Sequence, residues 1–161
     1  MARGAAAIET QDPWEGGDLH DGGLSSLLGF HLRMASVALY RDFVSAMEGV
    51  DLTQRQVATL FLIAANPGTP QVAIAQHLGA DRATIMAMVD RLEMRGLITR
   101  ERSKADRRRQ ELFVTKLGEK TLATVKTRIA EHEKRFTARL TPAEVEVLTN
   151  LLRRVNGQSY A

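Results

Sequence analysis

Seven of the sixteen residues at positions 95–110 are Arg or Lys: Arg95, Arg100, Arg102, Lys104, Arg107, Arg108 and Arg109. Glu101 and Asp106 oppose them, so this stretch stands at +5 in a chain whose formal net charge is +3. The remainder is slightly acidic. Positive charge concentrated on a near-neutral body is the electrostatic footprint of a surface that meets phosphate. The three consecutive arginines at 107–109 set this loop apart from an ordinary solvated run of mixed charge.

Other side chains able to do chemistry form no catalytic pattern. His20, His31, His77 and His132 lack metal-ligand spacing, and the chain has no G-x-S-x-G and no phosphate-cradling Gly loop. His132-Glu133, on a helical pattern with acids beside it, reads as solvated. With no Cys, disulfides, thiolate zinc sites and thiol redox switches are excluded. The expectation is a protein that is not an enzyme and carries no cofactor and no metal. No apolar run approaches a membrane span, and MARGAAAIET is a poor signal peptide. No membrane partner and a cytoplasmic location are therefore expected.

The basic loop needs elements to project it. Leu97-Ile98-Thr99-Arg100 and Glu111-Leu112-Phe113-Val114 flank it as two short strands. The span between them is too long for a two-residue hairpin turn, so it should stand out as a wing. Before it, Thr69-Pro70 reads as an N-cap followed by Pro at the first helical position. That helix runs through Val72, Ala75 and Leu78 to Gly79, a residue able to end it in a left-handed conformation. Asp81 then caps a second helix whose core face is Ile85, Met88, Val89 and Leu92. Helix, Gly-containing turn and helix make a helix-turn-helix.

The outer segments read as helices. One spans residues 24–47, with stripes at Leu28, Leu32, Ala35, Leu39 and at Leu27, Phe30, Met34, Val37, Ala38; so wide an apolar arc needs covering on more than one side. Thr53-x-x-Gln56 is a capping box that opens the next helix, and Asn66-Pro67-Gly68 stops it. Residues 116–139 carry a narrow stripe at Leu122, Val125, Ile129 and Phe136. Thr141-Pro142-Ala143-Glu144 is a second capping box, and Val145, Leu148, Leu152 and Val155 follow at coiled-coil-like spacing. Residues 1–23, rich in Ala, Gly and Asp with the single Trp14, read as a flexible arm. The expected organisation is this arm, a dimerisation helix at 24–50, a DNA-binding lobe at 51–115 and C-terminal dimerisation helices at 116–161. The fold class is mainly α with a small β-wing, a winged helix-turn-helix.

Two separate runs then carry a family resemblance. Asp90-Arg91-Leu92-Glu93-Met94-Arg95-Gly96-Leu97-Ile98-Thr99-Arg100, with Asp106-Arg107-Arg108 before Leu112-Phe113-Val114-Thr115-Lys116-Leu117-Gly118, resembles the MarR family of bacterial transcription regulators over about residues 24–156. The resemblance implies a homodimer that binds a pseudo-palindromic operator in double-stranded DNA, mostly as a repressor, and is released by a small aromatic or phenolic effector. The helix after Asp81 would enter the major groove, with Arg82, Thr84, Met86, Ala87 and Arg91 as its reading face and Gln71 at the backbone. Many members carry Thr-Arg where this chain has Met86-Ala87, so polar base contacts should be fewer, with Met86 meeting a thymine methyl and shape contributing more. Arg108 matches the family Arg of the minor groove; Arg102, Lys104, Arg107 and Arg109 would meet phosphates, and Asp106 would hold the wing tip in shape.

The effector would be a free aromatic acid or its CoA thioester, between which the sequence does not decide. Candidate ligand residues are His31, Arg33, Met34 and Gln54, where an imidazole and a guanidinium offer a carbonyl and a carboxylate their partners. Two rival readings are a metal-sensing regulator and a winged helix that assembles proteins without DNA.

Overall fold

The computed structural model describes residues 20–103 and 108–157. Trp14 and most of the N-terminal arm, with Lys104, Asp106 and Arg107 of the wing, lie outside the described residues. The elements in order are α1 (Leu28–Ala46), α2 (Gln54–Ala65), α3 (Gln71–Leu78), α4 (Arg82–Met94), β1 (Ile98–Arg102), β2 (Gln110–Val114), α5 (Lys116–Phe136) and α6 (Pro142–Val155). The chain divides into two compact units, with the boundary between Ser36 and Val37 inside α1. No described helix is long and apolar enough to cross a membrane.

In the first unit the helix expected from residue 24 is interrupted. The Asp21 carboxylate accepts from the amides of Gly23 (2.9 Å) and Ser25 (3.1 Å), which winds Leu24–Ser26 into a single 3-10 turn. Leu27 is extended (φ −94, ψ 118), so the α-helix starts only at Leu28. Local side-chain bonding of this kind competes with helix continuation.

In the second unit the core gathers Leu60 and Ile63 of α2, Ile74 of α3, Ile85, Val89 and Leu92 of α4, Leu112 of β2 and Val125 of α5, all essentially inaccessible. Both capping boxes form: Thr53 accepts from the Gln56 amide and Thr141 from the Glu144 amide, while each N3 side chain takes the cap's own amide. At the third cap the structure departs from expectation. Pro70, not Thr69, is the N-cap of α3, and no side chain caps it. Thr69 is committed elsewhere, because its carbonyl accepts from the Leu112 amide (3.1 Å) while Leu112 accepts from the Gly68 amide (2.9 Å). This pairing lays Thr69 against β2 in a single antiparallel bridge, outside the two-stranded sheet. Strands β1 and β2 pair antiparallel, Ile98 with Val114 and Arg102 with Gln110, so the ladder reaches further into the basic loop than the apolar runs indicated.

Two glycines are required by geometry. Gly79 (φ 58, ψ 32) ends α3 in the left-handed region and makes the tight turn into Asp81. Gly118 packs α5 so close to the start of β1 that a Cβ there would sit 2.0 Å from the Leu97 carbonyl oxygen. The apolar stripe of α6 stays open in the single chain: Val147, Leu148, Leu151 and Val155 are exposed, and no α6 residue is buried.

Candidate nucleic-acid interface

Helix α4 turns Ile85, Val89 and Leu92 inward and leaves Arg82, Ala83, Met86, Ala87 and Arg91 exposed. Its first turn is fixed by Asp81, whose carboxylate accepts from the Thr84 amide (2.8 Å) and from the Thr84 hydroxyl (2.5 Å). These bonds from Thr84 lower the Asp81 pKa. Thr84 is therefore half-buried and holds its proton toward the cap, while Arg82 beside it points free of the body. A hollow of about 310 Å³ lies against Gln71, Val72 and Arg82, where the first turns of α3 and α4 meet.

One residue ties the wing to this helix. Arg100, midway along β1, donates to Glu93 (2.6 Å) and pairs with Asp90, both on α4. In the amide orientation that satisfies both groups, the Gln71 oxygen also accepts from Arg100 Nε (3.1 Å) and Nη2 (3.2 Å). A single guanidinium thus joins α3, α4 and β1. Asp90 is engaged by this network, although its side chain remains partly open to solvent. Sequence reading missed the role of Arg100. The signal was available: two carboxylates at i and i+3 on a helix that is to approach phosphates must be neutralised by a nearby cation.

Arg102 ends β1 exposed, and Arg108 and Arg109 are exposed where the chain returns toward β2. The Ser103 amide donates to the Arg109 carbonyl (3.0 Å), so the hairpin stays closed up to the undescribed tip. Behind the helix-turn-helix two further arginines hold the connection between α1 and α2. Arg95 donates to the carbonyls of Val50 (2.7 Å) and Asp51 (2.5 Å). Arg128 of α5 donates to the carbonyls of Ala46 (3.2 Å) and Glu48. The bond from Arg128 to Ala46, the last residue of α1, satisfies an orphan acceptor there and complements the helix dipole. Arg95, counted above with the wing's charge, therefore belongs to the scaffold.

The candidate ligand residues are placed as follows. His31, Arg33 and Met34 are exposed on the first two turns of α1, and His31 Nε2 donates to the Ser25 carbonyl (2.8 Å). Gln54 lines two cavities of the second unit. One, of about 680 Å³, runs along α1 and the start of α2 past Tyr40, Arg41, Glu48 and Thr53. The other, of about 360 Å³, is bounded by α1, α2, the end of α3 and α5. His132 borders the second cavity. The expectation that it is solvated is wrong: it is 2% exposed, its Nδ1 meets the Asp42 carboxylate, and its ring lies edge-on to Phe43. The α5 stripe extends through His132 because a carboxylate on α1 satisfies it. Hydrogen bonds from His132 and then Arg135 hold the Asp42 pKa below the ordinary carboxylate range. Among the described residues, no three His, Asp or Glu side chains gather to hold a metal ion.

With this geometry in hand, comparison with known proteins identifies the family. The MarR family model matches residues 52–109, from the start of α2 into the wing. A curated relative from Thauera aromatica, described as a putative transcriptional regulatory protein for the hcr operon, is 38% identical over 88% of this chain and 86% of its own length. The chain belongs to the MarR family. As a MarR-family member it is a transcriptional regulator, and its fold is that of solved regulators. The transcriptional repressor CouR bound to a 23-mer DNA duplex superposes with a TM-score of 0.83 at 40% identity, over 87% of this chain and 99% of that one. CouR bound to p-coumaroyl-CoA gives 0.79 at 37% identity, over 88% of this chain and 100% of that one.

Proposed function

We propose that this regulator is a homodimeric repressor that grips a pseudo-palindromic DNA operator and lets go when a small aromatic effector binds. The observation that carries the DNA-binding part is the Arg100 bridge. It holds the exposed face of α4 and the arginine-bearing wing as one unit. In this reading α4 enters the major groove, with Arg82 and Arg91 as polar readers and Met86, 53% exposed, against a thymine methyl. Arg108 enters the minor groove, Asp106 shapes the wing tip, and Arg102, Lys104, Arg107 and Arg109 meet phosphate. The likeness to CouR on a DNA duplex supports this placement.

Dimerisation is supported by the open apolar face of α6, an amphipathic surface that a second copy would cover. An effector is supported by the cavities beside α2 and by the likeness to CouR holding p-coumaroyl-CoA. Both a free aromatic acid and its CoA thioester belong to this class. The test is fluorescence anisotropy on duplexes from the region upstream of the gene, against scrambled duplexes, over a salt series. Specific binding with a steep salt slope is expected; equal, weak binding to all duplexes removes the operator reading.

A further inference from the structure

At 3.6 residues per turn, Arg82 and Arg91 lie about 180° apart around α4, and Ala83, Met86, Ala87 and Asp90 fall in the arc between them. Ala83, Met86 and Ala87 are exposed and carry only methyl, methylene and thioether surface. Spaced at i, i+3 and i+4, they form one continuous apolar strip. The polar side chains beside the strip are already engaged. The Thr84 hydroxyl donates to Asp81, and Asp90 and Glu93 each put a carboxylate oxygen on Arg100. Among the described residues neither Arg82 nor Arg91 is paired with an acid.

Each base edge in the major groove asks for a different partner. Guanine presents two acceptors to a guanidinium, and thymine presents a methyl to an apolar side chain. Adenine is read by the donor and acceptor of an Asn or Gln amide, and cytosine by a carboxylate. Helix α4 holds no Asn or Gln, and its two carboxylates are held by Arg100. Its outward face therefore suits guanine at the two margins and a pyrimidine methyl along the middle.

We propose that α4 discriminates operators by the 5-methyl groups of pyrimidines, packed against Ala83, Met86 and Ala87, so that 5-methylcytosine counts as thymine at those positions. The inference rests on the reading that α4 enters the major groove, and it names the chemical group read there. Met86, 53% exposed, is the principal contact, because its unbranched thioether adapts to more than one methyl position. Removing one such methyl from water is worth about fourfold in affinity. Methylation of an operator cytosine at C5 strengthens binding wherever the methyl falls on the strip.

The test is fluorescence anisotropy with the full chain and the duplex it prefers over scrambled sequence, remade with deoxyuridine at each thymine in turn. Deoxyuridine keeps the pairing and O4 and lacks only the methyl. A loss of about fourfold is expected at one or more thymines of each half-site. At those positions a C·G pair with 5-methylcytosine should bind about fourfold more tightly than the same pair with cytosine. Met86→Ala should shrink both differences to less than twofold at the position Met86 covers. The side chain is exposed and Ala is the better helix former, so the fold is not at stake in this variant. Removing a methyl also changes the stiffness of the duplex, so a deoxyuridine penalty undiminished in Met86→Ala is a shape effect and overturns the proposal. So does a penalty below twofold at every thymine. Where no duplex is preferred over scrambled sequence, the operator reading fails and the methyl assignment falls with it. Where one is preferred and the methyl costs nothing, the methyl assignment alone fails.

Discussion

Replacing Arg100 with Ala separates positioning from direct phosphate contact. The Arg100 side chain is 18% exposed, whereas those of Asp90 and Glu93 are 46% and 37% exposed. A hydrogen bond to a charged group is worth ~1.5–3 kcal/mol when shielded. Exposed ion pairs are worth only ~0.2–1 kcal/mol. With the cation sheltered and both carboxylates partly wet, the two bonds together contribute about 1–2 kcal/mol to folding, nearer the exposed limit for each. The effect on DNA should be larger in proportion. The wing loses its tie to α4, and two unneutralised carboxylates are left beside the phosphates. An affinity loss of about tenfold or more is expected, equivalent to ~1.4 kcal/mol. Because Arg100 is spent on protein carboxylates, the salt slope of binding should change far less than the roughly 0.9 units that losing one phosphate contact removes.

Urea unfolding followed by circular dichroism, at one fixed protein concentration, measures the first quantity. Anisotropy over a salt series measures the second. Arg100→Lys keeps the charge but not the fork, so it should fall between wild type and Arg100→Ala. Operator affinity within twofold of wild type for Arg100→Ala would refute the bridge as the device that holds reader and wing together. A salt slope shallower by a full contact would instead put Arg100 on the DNA.

Arg108→Ala should instead weaken binding at moderate salt and make the log–log slope shallower by roughly 0.9. Gly118→Ala should destabilise by about 1–3 kcal/mol in denaturant melts, because its Cβ would overlap the Leu97 carbonyl and push α5 off the lobe. Asp42, whose pKa is lowered first by the His132 bond, contributes stability that is complete above the ordinary carboxylate pKa of 3.8 and is lost as pH falls through its lower folded value. Asp42→Asn should therefore flatten the acid limb of a melting-temperature profile between pH 5 and pH 2; an unchanged limb contradicts the assignment.

The helix-turn-helix and the wing were legible because their signals are local. Gly79, Asp81 and the period of Ile85, Val89 and Leu92 each act within one or two turns of chain. The capping boxes at Thr53 and Thr141 were legible for the same reason. What escaped was set by partners distant in sequence. Thr69 looks like a cap until Leu112 claims its carbonyl. His132 looks solvated until Asp42, ninety positions away, pairs with it. Arg95 and Arg100 add equally to the charge of the loop, yet both are committed to the protein itself. Charge counting locates such a surface but does not say which cations are spent inside it.

Those internal cations also bear on how occupancy of a cavity would reach the DNA. Arg95, at the end of α4, and Arg128, on α5, grip carbonyls of the same connection between α1 and α2. The smaller cavity is bounded by α1, α2, α5 and the last residues of α3, His77 and Leu78. Gly79 and Asp81 follow at once and set the start of α4. A ring bound there touches the base of the reading unit without touching DNA. It weakens operator binding only by the difference in its affinity for the DNA-competent and incompetent arrangements. Leu78→Ala, which enlarges the cavity at its α3 wall, should leave thioester binding within a few-fold while reducing the effect of thioester on operator affinity. Calorimetry and anisotropy on one preparation read the two quantities separately. Undiminished release with Leu78→Ala would show that the signal leaves the cavity by α1 or α5 instead of through α3.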